Sequence, residues 1–231
     1  MPDTVLPLPQ PTLLPIAGRT EQFPVRRVYC IGRNYAAHAR EMGHDPDREP
    51  PFFFQKNPDN LNPTGIFDYP SETADVHHEI EMLVALQSGG TNIPEAAALE
   101  AVFGYGVALD MTRRDLQAQA KKAGRPWETG KAVEGSAPVG PLLPAEAVGH
   151  PDHGAITLAV NGEVRQSGDL NQMIWSVPEM IAYLSRYFTL APGDVILSGT
   201  PAGVGPIVAG DRMVGEIAGL GVLEVDVRGA E

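Results

Sequence analysis

Asp75-Val76-His77-His78-Glu79-Ile80-Glu81-Met82-Leu83-Val84-Ala85-Leu86 carries two patterns at once. Its apolar tail, from Ile80 onward, reads as a buried strand, and the period-two alternation of a strand puts Glu79 and Glu81 on one face. Two carboxylates side by side repel each other. Leaving both ionised beside an apolar core costs several kcal/mol, so a cation between them is the natural remedy. A second apolar strand, Val102 to Leu109, ends in Asp110, a third acid. Three oxygen ligands suit Mg²⁺ or Mn²⁺, ions that prefer carboxylates and keep water or substrate in their remaining positions. The same letters also fit the polar face of an edge strand, where acidic pairs are common. His77 and His78 have no further His or Cys at zinc-ligand spacing, which leaves them structural or supporting roles.

Outward from this stretch short strands dominate, and Gly and Pro, 25 and 22 in number, are frequent enough to punctuate many turns. Leu158-Ala159-Val160-Asn161-Gly162-Glu163-Val164 is the sharpest hairpin, because Asn-Gly tolerates the two positive φ angles of a type I′ turn. Pro192-Gly193-Asp194 introduces a strand at Val195–Leu197, and Gly210-Asp211 and Gly219-Leu220-Gly221 separate further strands. The fold class is therefore α+β and mostly β, a sandwich or barrel with a few flanking helices. Ser176-Val177-Pro178-Glu179 is a capping box ahead of Ile181, Leu184 and Phe188 at helical spacing. Another helix is expected from Thr112, with Asp115 in its first turn, to Gly124 and Pro126. A third, from Asn34 as N-cap to Gly43, is only about two turns long and marginal by itself; it is expected to order on binding. Residues 1–24 are proline-rich and read as an arm lying on the body or on a partner subunit, with residues 25–231 as a single catalytic domain.

Composition narrows the class of function. Seventeen Lys and Arg against 29 Asp and Glu give a formal charge of −12, which repels phosphate backbones and anionic lipid, so neither nucleic acid nor membrane is an expected partner. An acidic protein that binds a small anion needs a local cation. Cys30 is the only cysteine, so no intrachain disulfide forms. The opening Met1-Pro2-Asp3, followed by closely spaced prolines, lacks the basic start and apolar run of a signal peptide. A cytoplasmic address is the expectation.

His38 and Glu41 lie three apart on the short helix, where they share a face. A carboxylate beside imidazole fixes its tautomer and raises its basicity, the arrangement needed to take a proton from water, although the same pair also forms ordinary surface ion pairs.

Tyr29-Cys30-Ile31-Gly32-Arg33-Asn34-Tyr35, then His38 and Glu41, Glu79-Ile80-Glu81, Asp110, Arg114-Asp115, Lys131, and Ser198-Gly199-Thr200-Pro201-Ala202-Gly203-Val204-Gly205 occur in that order. Together they resemble the fumarylacetoacetate hydrolase family, over about Val25 to Val227. Within it, Ala36 to Pro46, Pro51-Phe52-Phe53-Phe54 and Leu109 to Asp115 look most like the bacterial fumarylpyruvate hydrolases of gentisate-type aromatic breakdown. Gln55 stands where close relatives carry a small or sulfur-containing residue, and Val133-Glu134 replaces a Phe-Asp, departures that bear on substrate choice.

The resemblance implies a rolled mixed β structure, a homodimer, and a small anionic dicarbonyl substrate. It makes Glu79, Glu81 and Asp110 ligands of Mg²⁺ (or Mn²⁺), His38 and Glu41 the pair that activates water, and Lys131 a stabiliser of the enolate that leaves. Arg33, Gln117, Thr200 and Gly199 are the expected substrate-holding residues, and Lys56 is a candidate for meeting a second carboxylate. Decarboxylation of oxaloacetate and isomerisation of a 2-oxo acid use the same metal-stabilised enolate, so they share this residue set. A noncatalytic metal-binding or metabolite-binding module is the alternative of another class.

Overall fold

The computed structural model describes residues 4–41 and 49–229. The last two residues of the helix expected to reach Gly43 lie outside them.

The strand Ile80–Leu86, buried at every position, sits near the middle of a six-stranded sheet ordered Leu143–Pro144, Val102–Leu109, Ile80–Leu86, Asp194–Leu197, Arg27–Gly32, Phe52–Lys56. Both of its neighbours run antiparallel to it, and the one parallel pair in the sheet is Asp194–Leu197 with Arg27–Gly32. A five-stranded sheet, ordered Glu163–Asp169, Ala155–Val160, Arg212–Ile217, Gly221–Arg228, Ile66–Asp68, packs against one face. Alternation decides what goes there. Ile80, Met82, Val84 and Leu86 point into this main core with Tyr29, Ile31, Leu109, Leu158, Met213 and Val225, and each fully buried aliphatic side chain contributes about 1.5–3 kcal/mol. Met180, Ile181 and Leu184, from the helix Val177–Leu184, seal one side of it.

The opposite face of the six-stranded sheet carries a second core, in which Leu83 and Ala85 meet Val28, Cys30, Ala108, Val195 and Leu197. Leu14, Ile16 and Phe23 close it, coming from the hairpin Leu13–Pro15 with Gln22–Pro24. Glu79 and Glu81 have the same parity as Leu83 and Ala85, and Asp110 the same as Ala108. The carboxylates therefore stand where the apolar rows of this second face run out.

Local signals explain most of the elements. Asn161 and Gly162 take φ angles of 51° and 82°, the two positive values of a type I′ turn. Ser176 and Glu179 form the expected capping box, though Phe188 lies past the helix end. Two expectations are corrected. Thr112 does not start a helix: Thr112–Arg113 pairs with Val76–His78, and the helix is Arg114–Ala123, closed by Gly124 at φ 61°. Asn34 does not cap the short helix Ala36–Glu41. It is fully buried, and its side chain donates to the carbonyls of Trp175 and Ser198 while accepting from the Trp175 N–H. The sheets end in open edges and none closes into a barrel among the described residues, so the sandwich form holds and the barrel does not.

Candidate active site

Glu79, Glu81 and Asp110 are all buried, and one carboxylate oxygen from each lies within 4.8 Å of the others. Such a trio is stable only with compensation, and three cations supply part of it. Lys131 Nζ donates to Glu79 Oε2 at 2.8 Å, Asp110 Oδ2 at 2.6 Å and Thr112 Oγ1 at 2.7 Å. Arg114 Nη2 donates to the other Glu79 oxygen at 2.5 Å. Lys56 Nζ, wholly enclosed, sits 2.9 Å from Asp110 Oδ1 and also donates to Ser136 Oγ, Met111 O and Lys131 O. Its approach to Asp110 lacks hydrogen-bond geometry, so Asp110 Oδ1 is a buried oxygen without a donor. Lys56 thus belongs to the carboxylate cluster, which corrects its expected role at a second substrate carboxylate.

The environments split the carboxylates. Burial alone would raise Glu79, but Lys131 and Arg114 outweigh it and hold the group well below the usual range. Among the described residues Glu81 has only the Gly199 N–H, at 2.7 Å, as a close donor. Burial pushes its carboxyl well above the usual range, and Asp110 and Glu79 push it further. Burial would lower Lys131, yet Asp110 and Glu79 raise it, so it stays cationic. Three clustered oxygens, one orphaned and one short of positive charge, fit a hard divalent cation.

His38 is buried on the wall of the same cleft. Its Nδ1 lies 3.2 Å from Glu41 Oε2, which leaves Nε2 as the proton acceptor. The Gly203 N–H in turn reaches both Glu41 oxygens at 3.1 and 3.2 Å. Gly203 has φ 93°, and a Cβ there would fall 2.1 Å from Arg165 O, so only glycine fits. The dyad is tied to the glycine-rich turn by this one donor. Asn34 anchors the other end of the helix segment to Ser198, beside Gly199.

Arg33, Gln117, Gly199 and Thr200 also line the cleft. Arg33 adopts φ 56° and lies over the Phe52 ring at 4.8 Å. Gln117 accepts from Arg114 at 2.7 Å. Thr200 is more constrained than the sequence suggests: its hydroxyl donates to Ile80 O and accepts from Gln166 Nε2. His77 and His78 stay out of the cluster, bonded to Asp75 and Gln166 respectively, and burial lowers the pKa of both.

Several contributors were not identified from sequence. Gln166 is fully buried and joins His78, the Ile80 N–H and Thr200, with no local pattern to mark it. Phe52, Phe54 and Trp127 wall the cleft. Lys121 does carry a signal: Arg114, Gln117 and Lys121 fall at i, i+3 and i+7 of one helix and all face the cleft.

Residues 27–228 match the family described as fumarylacetoacetate (FAA) hydrolase C-terminal. The oxaloacetate tautomerase YcgM of Escherichia coli is 43% identical over 200 residues, covering 85% of this chain and 90% of its own. The fumarylpyruvate hydrolase of a Ralstonia species is 42% identical over 193 residues, 82% of this chain and 100% of that protein. The crystal structure of fumarylpyruvate hydrolase from Pseudomonas aeruginosa, in complex with Mn²⁺ and pyruvate, is 54% identical, covers 99% of this chain and 100% of its own, and superimposes with a TM-score of 0.96. This chain belongs to the fumarylacetoacetate hydrolase family.

Proposed function

We propose that this protein is a divalent-metal-dependent hydrolase that cleaves the carbon–carbon bond of an acylpyruvate, with fumarylpyruvate plus water giving fumarate and pyruvate. The observation that carries the reading is the placement of a buried Glu79–Glu81–Asp110 triad and a His38–Glu41 dyad on the walls of one cleft. A metal module without chemistry has no use for the dyad. The 54% identity to a fumarylpyruvate hydrolase, and the pyruvate in that structure, support the substrate.

The triad would hold Mg²⁺ or Mn²⁺. When bound, the cation supplies a Lewis acid that attracts the carboxylate and 2-oxo oxygens of the substrate and lowers the energy of charge developing on them. Glu41, fixed by the Gly203 N–H, holds His38 so that Nε2 can take a proton from water. The hydroxyl goes to the acyl carbon, which departs as a carboxylate. The electrons of the broken bond pass to C3 of the pyruvate half as an enolate, and the proton taken by His38 returns there to complete the methyl group. Lys131 has all three N–H groups committed to Glu79, Asp110 and Thr112, so it acts through its charge and by fixing the triad rather than by giving up a proton. Arg33, Gln117 and the Gly199 turn hold substrate oxygens.

We place the protein in the cytoplasm as a homodimer. Its one cysteine is free and buried, and among the described residues no helix is long and apolar enough to cross a membrane and Phe52–Lys56 leaves one edge of the six-stranded sheet unpaired. Metal-dependent loss of fumarylpyruvate absorbance, with fumarate and pyruvate identified as products and EDTA as the control, tests the assignment. No cleavage by the metal-loaded protein would overturn it.

A second reading is supported by the 43% identity to an oxaloacetate tautomerase. Moving a proton between C3 and the 2-oxo oxygen needs the same cleft but breaks no carbon–carbon bond. Decay of enol-oxaloacetate absorbance without pyruvate release would favour it.

A further inference from the structure

We propose that Lys121 is the counter-ion for a remote carboxylate on the acyl side of the substrate, and so selects dicarboxylic acylpyruvates over uncharged ones. This rests on the hydrolase reading above. Four Lys and Arg side chains line the cleft: Arg33, Arg114, Lys121 and Lys131. Lys131 is spent on Glu79 and Asp110, and Arg114 on Glu79 and Gln117. Arg33 lies over Phe52 and within 3.8 Å of Glu49. Lys121 alone of the four has no carboxylate partner among the described residues, and the charges that act on it are those of Arg33 and Arg114. Lys121 is itself exposed to solvent on the cleft wall, and its partial burial together with those two cations lowers its pKa.

Its position fits the task. Arg114 touches the triad, and Lys121, seven residues further along the same helical face, stands about 10 Å down the axis at ~1.5 Å per residue. A seven-carbon diacid with ~1.5 Å bonds extends about 8 Å. With its 2-oxo acid end at the triad, its other carboxylate comes within reach of a flexible lysine. Phe52, Phe54 and Trp127 wall the same cleft and suit an uncharged, planar middle.

The test is the ratio of kcat/KM for fumarylpyruvate to that for acetylpyruvate, which lacks the second carboxylate, in wild type, Lys121→Met, Lys121→Glu and Lys121→Arg. Lys121→Met should lower the ratio about 10-fold or more, the scale of a lost charge-assisted hydrogen bond. Lys121→Glu should lower it further, and Lys121→Arg should keep most of it. An unchanged ratio in Lys121→Met, whether both substrates slow together or neither does, overturns the assignment while leaving the hydrolase intact. A wild-type protein that cleaves neither compound overturns the hydrolase reading and this one with it.

Discussion

Lys56→Met is the substitution with the most to say about how the carboxylate cluster is held. It replaces an enclosed ammonium by an unbranched apolar side chain of similar length. The change strips the cation 2.9 Å from Asp110 Oδ1 and removes the donor to Ser136 Oγ and to the carbonyls of Met111 and Lys131. Asp110 then keeps Lys131 on its other oxygen but, fully buried, is short of one positive charge. Removing one member of a buried ion pair costs about 3–5 kcal/mol. At about 2–4 °C per kcal/mol for a chain of this size, Tm should fall by roughly 6–20 °C. Thermal unfolding by circular dichroism in EDTA measures it. Saturating Mn²⁺ should narrow the gap, because a cation bound to the folded state replaces part of the missing charge and adds RT ln(1 + [L]/Kd) to stability. A fall of less than about 2 °C in EDTA, or a gap that widens with Mn²⁺, would refute the view that Lys56 balances the triad.

His38→Ala should cut kcat by about 10²-fold or more while Mn²⁺ still binds, measured by calorimetry beside a turnover assay; normal turnover would remove His38 from the mechanism. Asn34→Ala loses three side-chain hydrogen bonds to backbone groups, at 2.7, 2.8 and 2.9 Å, besides a weak one to Met180 Sδ. At about 1 kcal/mol or more each it should destabilise the fold by roughly 3 kcal/mol in urea unfolding and raise KM by loosening the dyad helix. Gly199→Ala puts a Cβ 2.7 Å from that of Asn34 at φ 91°, so the turn must move and the 2.7 Å N–H to Glu81 breaks. Mn²⁺ affinity should drop about 10-fold, and an unchanged affinity would show that Glu81 does not depend on that donor.

Period-two patterning made the architecture of the centre legible. Ile80 to Leu86 reads as buried because both of its faces are, and Asn161-Gly162 fixes its hairpin through the two angles it tolerates. Boundaries failed where a side chain had a distant use. Thr112 looks like a helix cap, but its backbone is taken by the ladder to His77 and its hydroxyl by Lys131. Asn34 looks like a cap and instead ties Trp175 and Ser198 together, contacts more than 140 residues away in sequence that no local window contains.

The candidate site divides along the same line. Glu79, Glu81 and Asp110 could be found because they end apolar strands, and a strand's parity tells which face an acid must occupy. Parity is silent on what the neighbouring strand brings to that face. Lys56 comes just after a run of three phenylalanines on the sheet edge and is, from sequence, a candidate for a second substrate carboxylate, yet its side chain is fully buried beside Asp110. Lys131 sits in a four-residue helix whose register only the tertiary fold sets. An acidic cluster in an apolar setting must draw its cations from wherever the chain passes, so the need for compensation was deducible while the identity of the compensators was not. The ordered set of motifs narrowed that gap, because residues at the ends of adjacent strands keep their chain order whatever the intervening loops do.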